Sequence, residues 1–155
     1  YMMSQYLPGL LLSHFLWPHH YRQLQFFNAA FVEPMQRQGG TQYVEVGVGT
    51  GLYSRRLLQQ IPQAKGIGYG ISPSSQAFTE LHMRSFNFEN RYQVRLEDVT
   101  VKPIETTDWL ISVEVLEHLE DPVTFLKALR SMLAPGGKAF ITAALNAANA
   151  DHIYL

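Results

Sequence analysis

The sequence predicts an α/β protein with a Rossmann-like, doubly wound and mostly parallel sheet, helices on both faces, and a helical segment before the first strand. Three observations predict it. Short apolar strands alternate with helical patterns from Thr41 onward. A glycine-rich turn follows the first strand and opens a helix. The length of 155 residues and the apolar fraction of 46% suit one domain core. Strands that alternate with helices imply parallel pairing with right-handed crossovers.

Five strands and three connecting helices are predicted after residue 40. The strands are residues 42–46, 66–71, 92–96, 108–113 and 138–143. The helices are residues 52–61, 73–86 and 122–133, and the last two begin with a proline, which the first helical turn tolerates. Sheets of this kind bind ligands beyond the carboxyl ends of their strands, so we expect the functional site at that edge.

Residues 1–40 form a different unit, rich in aromatic side chains and histidine. Apolar residues recur at three- and four-residue spacings between Ser13 and Arg37, which predicts a helix that Gly39 and Gly40 end. We expect the stripe of Leu24, Phe27 and Phe31 to pack onto the sheet.

Composition excludes several classes of protein. There is no cysteine, so disulfide scaffolds, zinc–thiolate sites and thiol nucleophiles are excluded, and a cytoplasmic setting is expected. A formal charge of -1 argues against a surface tuned to nucleic acid. The longest apolar run, residues 6–17, is too short to span a bilayer, so no membrane association is expected.

The sharpest motif is V-E-V-G-V-G-T-G at residues 44–51. Glycines let the backbone turn tightly and approach a ligand, and the start of the following helix adds unpaired N–H groups. The dinucleotide fingerprint needs a further glycine where Leu52 stands, which weakens the interpretation as a NAD-dependent dehydrogenase.

The spacing of Gly47, Gly49 and Gly51, preceded by Glu45, resembles motif I of the class I S-adenosylmethionine-dependent methyltransferases. Four more stretches fit the small-molecule, type 11/12-like branch of that family in order and spacing. They are G-Y-G-I-S-P at 68–73, L-E-D-V at 96–99, D-W-L-I-S-V-E-V-L-E-H at 108–118 and L-A-P-G-G-K at 133–138. The resemblance extends from about Thr41 to Ala143. It implies that residues 41–155 form the cofactor-binding core and that residues 1–40 supply a lid or substrate segment.

The resemblance also implies how S-adenosylmethionine, and its product S-adenosylhomocysteine, would be held. The three glycines would pack against the methionine part, Glu45 would orient its amino-acid end, and Glu114 would lie beside the sulfonium. The remaining implied cofactor contacts are Gly70, Ile71, Asp98 and Val99. Asp98 would accept from the adenine amino group and Val99 would flank the ring. Gly70 is a departure, because the family usually has an acidic residue there that takes both ribose hydroxyls.

Three residues are candidates for a base, should the acceptor need to lose a proton: His118, Glu117 and His152. Glu114, Glu117 and His118 also form E-x-x-E-H, a spacing that would place them on one helical face. With His152 they could bind a divalent ion, an arrangement that resembles the metal site of small-RNA 2′-O-methyltransferases. The same E-V-L-E-H sequence is also widespread in metal-free members of the family.

The function predicted from these motifs is methyl transfer to oxygen, nitrogen or carbon of a small-molecule acceptor, in secondary metabolism. The alternatives are metal-dependent RNA 2′-O-methylation, a non-catalytic cofactor-binding or partner module, and the dehydrogenase. The sequence identifies neither the acceptor nor the oligomeric state.

Overall fold

The computed structural model describes residues 2–102 and 104–144, with side chains described from Tyr6 onward. Five parallel strands form one sheet in the order β3-β2-β1-β4-β5. The strands are β1 (Gln42–Val46), β2 (Lys65–Gly70), β3 (Tyr92–Leu96), β4 (Thr107–Val113) and β5 (Leu133–Thr142). The predicted Rossmann-like fold is therefore confirmed.

Six α-helices and two short helical turns accompany the strands within residues 2–102 and 104–144. The helices are α1 (Met2–Leu16), α2 (Pro18–Phe27), α3 (Glu33–Arg37), α4 (Leu52–Gln60), α5 (Pro73–Ser85) and α6 (Pro122–Met132). A π-helical turn, Asn28–Val32, joins α2 to α3, and a 3-10 turn, Leu116–His118, follows β4. Among the described residues, no helix combines the length and the apolar character that crossing a membrane requires.

The strand order reverses at β1, and this reversal positions the site. From β1 the chain builds β2 and β3 on one side, then crosses to place β4 and β5 on the other. The segments after Val46 and Val113 consequently leave the same edge of the sheet from neighbouring strands. A crevice between diverging connections at such a switch point is the usual ligand site of an open α/β sheet.

The N-terminal segment is helical, although not as the single helix that its spacing predicts. Trp17 is extended (ψ 122°) between α1 and α2, because the ring of Pro18 disfavours helical geometry in the residue before it. Past this break, Leu24, Phe27, Phe31 and Met35 are all buried. The expected packing of this stripe onto the sheet is confirmed.

The sheet separates two apolar clusters. One contains the N-terminal stripe together with Tyr43, Leu57, Trp109 and Phe140. The other lies on the opposite face, where Leu129 and its neighbours on α6 cover the alternate side chains of β1 and β4. Because both faces of the sheet are covered, its central strands are apolar on both sides, as parallel strands usually are.

The end of α6 differs from the prediction. The helix ends at Met132, and β5 begins at Leu133, five residues before the predicted strand. Thr107 pairs with Leu133, whereas Trp109 pairs with Lys138, so β5 holds extra residues around Pro135 and Gly136. Pro135 lacks the N–H that regular pairing needs, which explains why this part looks like a turn in the sequence.

Candidate functional site

The loop after β1 depends on left-handed glycines. Gly47, Gly49 and Gly51 have φ of 81°, 49° and 71°. L-residues with a side chain rarely adopt such values, because Cβ crowds the backbone carbonyl. The alternating glycines of the motif therefore correspond to three backbone positions that need them.

The surroundings of the three glycines differ. A Cβ on Gly47 would lie 2.3 Å from Val115 Cγ2, and a Cβ on Gly51 would lie 2.7 Å from Thr79 Cγ2. A Cβ on Gly49 would meet no atom within 4 Å. The outer two glycines thus allow the loop to pack against its neighbours, whereas the middle one borders open space where a ligand could approach the backbone.

Helix α5 supports the loop from the other side. Thr79 Oγ1 donates to the Gly49 carbonyl at 3.2 Å, and His82 Nδ1 lies 2.7 Å from the Thr50 carbonyl. A carbonyl oxygen can only accept, so Nδ1 of His82 carries the proton. Both side chains are buried, and burial lowers the pKa of His82. The loop is therefore preformed by neutral hydrogen bonds.

Glu45 lies beneath the loop and is 3% exposed. Its Oε2 accepts from Ser54 Oγ at 2.5 Å and from the Tyr92 hydroxyl. Burial raises the pKa of Glu45 to about 7, although both hydrogen bonds oppose the rise. The structure thus shows Glu45 joining β1, α4 and β3; its contact with a cofactor stays a prediction.

At the end of β2, Gly70 has room for a side chain. Its φ is not left-handed, and an added Cβ would lie 3.7 Å from Val48 Cγ2, an ordinary van der Waals contact. Ile71, the next residue, is 74% exposed. This glycine is therefore not required by packing or by backbone conformation.

Asp98 and Val99 follow β3 and differ in exposure. Asp98 is exposed, and its Oδ1 accepts from Thr100 N at 2.8 Å and from Thr100 Oγ1 at 2.7 Å. Val99 is buried in the cluster that faces α6. Asp98 thus stabilises a turn through one oxygen and leaves the other oxygen for a donor at the same edge of the sheet.

Glu114 directly follows β4 with a φ of +52°, a left-handed value that is rare for a residue with a long side chain. Its Oε1 accepts from Gln23 Nε2 and from Thr142 Oγ1, both at 2.8 Å. Strained backbone of this kind persists where neighbours hold it, and it is frequent at functional sites. The fourth strand therefore delivers a carboxylate that α2 and β5 hold in place.

Glu117 and His118 lie on the 3-10 turn after β4. Glu117 is 5% exposed, and neither carboxylate oxygen has a hydrogen-bond partner within the described residues. Burial raises its pKa, and the negative charge of nearby Glu114 raises it further. Glu117 is thus a buried carboxyl group that accepts a proton more readily than an exposed glutamate does, while His118 is half-buried beside it.

The expectation that Glu114, Glu117 and His118 share one helical face is wrong. Glu114 precedes the helical turn in a left-handed conformation, and the turn spans Leu116–His118 only. Within residues 2–102 and 104–144, no three histidine or acidic side chains form a group that could hold a metal ion. His152, the remaining predicted base and ligand, lies outside the described residues.

An aromatic wall from the N-terminal helices and α4 lies near Glu114. The rings of His14 and His20 stack with centroids 4.7 Å apart, and His14 meets Tyr53 edge to face at 5.7 Å. The pKa of His20 is lowered to about 4, first by burial and then by the neighbouring imidazoles His14 and His19. The negative charge of Glu114 acts on His14, His20 and Tyr53. Neutral rings thus line one side of the crevice.

Sequence reasoning missed several side chains of this site: Gln23, Tyr53, Thr79, His82 and Thr142. Tyr53 had a usable signal, since it lies in the first turn of the helix that the glycine loop opens. Gln23 had none, because it meets Glu114 across 91 residues of sequence. Such contacts depend on how separate elements dock.

Comparison with known proteins identifies the family. A family model described as a methyltransferase domain matches residues 44–139, which run from β1 through the glycine loop and β4 into β5. The chain belongs to the methyltransferase domain family. It is also similar to a ubiquinone biosynthesis O-methyltransferase of Stutzerimonas stutzeri (strain A1501), with 31% identity over 104 residues. That match covers 66% of this chain and 44% of the relative, so the chain spans less than half of that relative's length.

Solved structures agree on the fold of this chain. Coclaurine N-methyltransferase, bound to N-methylheliamine and SAH, matches with a TM-score of 0.64 and 22% identity, covering 76% of this chain and 34% of its own. The cyclase SpnF matches with a TM-score of 0.61 and 20% identity, covering 66% of this chain and 38% of its own. At such identities the similarity establishes the fold alone, and the second match illustrates that this fold does not fix a reaction.

The edge of the sheet beside Gly49 has features that suit S-adenosylmethionine. The bare backbone at Gly49 leaves space above β1. The buried hydroxyl of Tyr53 has no hydrogen-bond partner within the described residues. Such an unpaired buried group is costly unless a ligand or water satisfies it. The open space at Gly49 therefore fits a polar ligand that approaches the backbone of the loop.

Proposed function

We propose that this chain binds S-adenosylmethionine at the carboxyl edge of β1 and β4 and transfers its methyl group to a small-molecule acceptor. The observation that carries the proposal is the loop after Glu45. Three left-handed glycines shape its backbone, and the middle one borders open space. The family match over residues 44–139 supports the choice of cofactor.

Bound S-adenosylmethionine would supply a methyl group that its sulfonium already activates. The protein then mainly has to hold donor and acceptor in line and away from water. We assign the amino-acid half to the loop of Gly47, Gly49 and Gly51, the ribose to Gly70 and Ile71, and adenine to Asp98 and Val99. Glu114 would lie beside the sulfonium. The backbone strain at Glu114 and the free oxygen of Asp98 support these assignments.

Proton handling is assigned to the turn after β4. An acceptor hydroxyl must lose its proton as the methyl group arrives, and an acceptor ammonium must lose one before its nitrogen can attack. Glu117 and His118 lie on this turn, next to Glu114, and Glu117 has no hydrogen-bond partner of its own among the described residues. His152 remains a candidate from sequence alone. The predicted metal set includes His152, which lies outside the described residues, so a divalent ion at this turn stays a separate prediction.

We propose that residues 1–40 cover the crevice and contribute to the acceptor pocket. The ring stack of His14 and His20 and its contact with Tyr53 support this role. An uncharged aromatic wall suits a flat, partly apolar small molecule better than a polyanion such as RNA. The named relative is an O-methyltransferase, so oxygen acceptors are the first to test. We also propose a cytoplasmic location, which the lack of cysteine favours.

Binding and transfer test the proposal in turn. Calorimetry should detect binding of S-adenosylmethionine and S-adenosylhomocysteine and none of NAD. Transfer of a labelled methyl group to a panel of hydroxylated and amino small molecules should then identify acceptors. Absence of binding would overturn the cofactor assignment, whereas binding without transfer would favour a non-catalytic module. Activity that a chelator abolishes and Mg²⁺ restores would favour the metal-dependent alternative.

A further inference from the structure

Three side chains from distant parts of the sequence form a closed set of hydrogen bonds at the carboxyl edge. Gln23 Nε2 donates to Glu114 Oε1 and to Thr142 Oγ1, each at 2.8 Å. Thr142 Oγ1 in turn donates to Glu114 Oε1 at 2.8 Å. An amide nitrogen has two hydrogens, so these two acceptors use its full donor capacity. Helix α2 is thereby attached to the ends of both β4 and β5.

These hydrogen bonds fix the carboxylate of Glu114 at a position that an ordinary strand end would not give it. Glu114 has a left-handed backbone, and its amide N–H donates to the Thr142 carbonyl at 3.1 Å. Its side chain therefore leaves the strand in a direction that regular β geometry would not give. The two donors on Oε1 hold the side chain in that direction.

The two donors that hold Glu114 Oε1 are neutral, and the carboxyl group of Glu117 lies close to that of Glu114. An amide and a hydroxyl hold the carboxylate without cancelling its charge. In the part of the chain that the structure describes, the ion pair found is Lys102 with Glu97, and no cationic side chain lies within ion-pair distance of Glu114. A half-buried carboxylate with neutral partners attracts a positive group nearby, since the surroundings screen its charge less than bulk water does.

We infer that Gln23 is a positioning residue that fixes Glu114 as the counter-ion of a positively charged sulfonium. It thereby sets the preference of the site for the methyl donor over the product. This inference rests on the proposed function. S-adenosylmethionine carries a positive sulfur, and S-adenosylhomocysteine has a neutral thioether in its place. The two ligands otherwise share adenosine and the amino-acid end, so their affinity ratio isolates the effect of that charge.

The experiment measures both affinities by calorimetry on the full chain and two variants. Gln23→Leu removes both donated hydrogen bonds, and Thr142→Val removes the hydroxyl with little change in shape. In each variant, binding of S-adenosylmethionine should weaken by about tenfold, the size expected for losing one well-placed charge interaction, while S-adenosylhomocysteine changes much less. Because the three residues act as one set, the double variant should lose less than the two single losses combined.

Gln25→Leu is the matched control, because Gln25 lies on the same helix and is exposed. It should leave both affinities unchanged. If Gln23→Leu does not fold, as judged by circular dichroism, Thr142→Val decides the outcome. An unchanged affinity ratio, or equal weakening of both ligands, would overturn the inference and leave the proposed function intact. Failure of the unmodified chain to bind either ligand would overturn both.

Discussion

At the scale of single residues, Glu45 couples folding to pH. Its folded pKa of about 7 lies above the value of an unfolded glutamate, and the first cause is burial. The folded state therefore holds a proton that the unfolded state releases at lower pH. The stability associated with this proton is fully present below about pH 4.5 and is lost as the pH rises through about 7. The loss amounts to roughly 3 kcal/mol, since one pKa unit is worth about 1.4 kcal/mol.

Glu45→Gln should remove this dependence, because an amide has the shape of the carboxyl group and does not ionise. We expect the free energy of unfolding of the variant, relative to the unmodified chain, to rise by roughly 3 kcal/mol between pH 5 and pH 8. Urea denaturation at several pH values measures it. Glu80→Gln, on the exposed face of α5, is the control and should follow the unmodified chain. Parallel pH profiles for Glu45→Gln and the unmodified chain would contradict the assignment.

Gly70 allows a test of where the ribose lies. Gly70→Asp should fold, since the position has ordinary backbone geometry and its nearest neighbour, Val48 Cγ2, is 3.7 Å away. A carboxylate there could accept both ribose hydroxyls. Binding of S-adenosylhomocysteine should therefore tighten by about tenfold or more, as expected for hydrogen bonds to a charged group. Gly70→Ala adds a side chain without an acceptor and should not tighten binding. Equal calorimetric affinities for Gly70→Asp and the unmodified chain would show that another group holds the ribose.

At the scale of elements, the glycine loop should separate binding from stability. Gly51→Ala places a Cβ 2.7 Å from Thr79 Cγ2 at a left-handed φ, so we expect a loss of about 2–4 kcal/mol in unfolding free energy. Gly49→Ala meets no neighbour within 4 Å and should cost only the backbone strain of about 1–2 kcal/mol.

Gly49→Val, with a larger side chain in the open space, should abolish calorimetric binding of S-adenosylhomocysteine. Normal binding by Gly49→Val would show that the loop does not receive the ligand.

The elements themselves were largely predictable from the sequence. Strands β1 and β3 match their predicted bounds. β1 is a short, mostly buried run, and the edge strand β3 begins with alternating buried and exposed residues, and both are recognisable strand patterns. The beginning of β5 was not predictable, because Pro135 and Gly136 belong to a strand that bulges at its pairing with Thr107. The order of the motifs also predicted that the loop after β1 and the end of β4 would meet at one edge of the sheet.

The fine geometry of the site was less accessible from sequence. The left-handed Glu114 has no local signal, because glutamate rarely adopts that conformation and its stabilising donors, Gln23 and Thr142, come from other elements. The helical face expected for Glu114, Glu117 and His118 failed for that reason. Pro18 did indicate a helix break at Trp17. The regular apolar spacing of the segment nevertheless favoured one continuous helix.

At the scale of the whole molecule, the N-terminal segment and the sheet share one core. Phe27 and Phe31 are 0% and 2% exposed, and Phe27 meets Phe140 of β5 and Tyr53 of α4, each with ring centroids 5.1 Å apart. The part of the segment that contains Phe27 and Phe31 therefore stabilises the fold. This holds whether or not α1 also contributes to an acceptor pocket. A domain of this size has about 5–15 kcal/mol of net stability, so losing a few such contacts is enough to unfold it.

We accordingly expect Phe27→Ala to lower the free energy of unfolding by about 3–5 kcal/mol, since it leaves a cavity between α2 and the sheet. Phe15→Ala is the matched control: Phe15 is 57% exposed on α1, and its loss should change stability by less than about 0.5 kcal/mol.

Removing residues 1–40 would expose the whole shared cluster and should abolish cooperative unfolding in urea. A truncated chain that still unfolds cooperatively would show that the sheet and its other helices suffice. The N-terminal segment would then be a separable cover, and its packing against Phe140 would contribute little to stability.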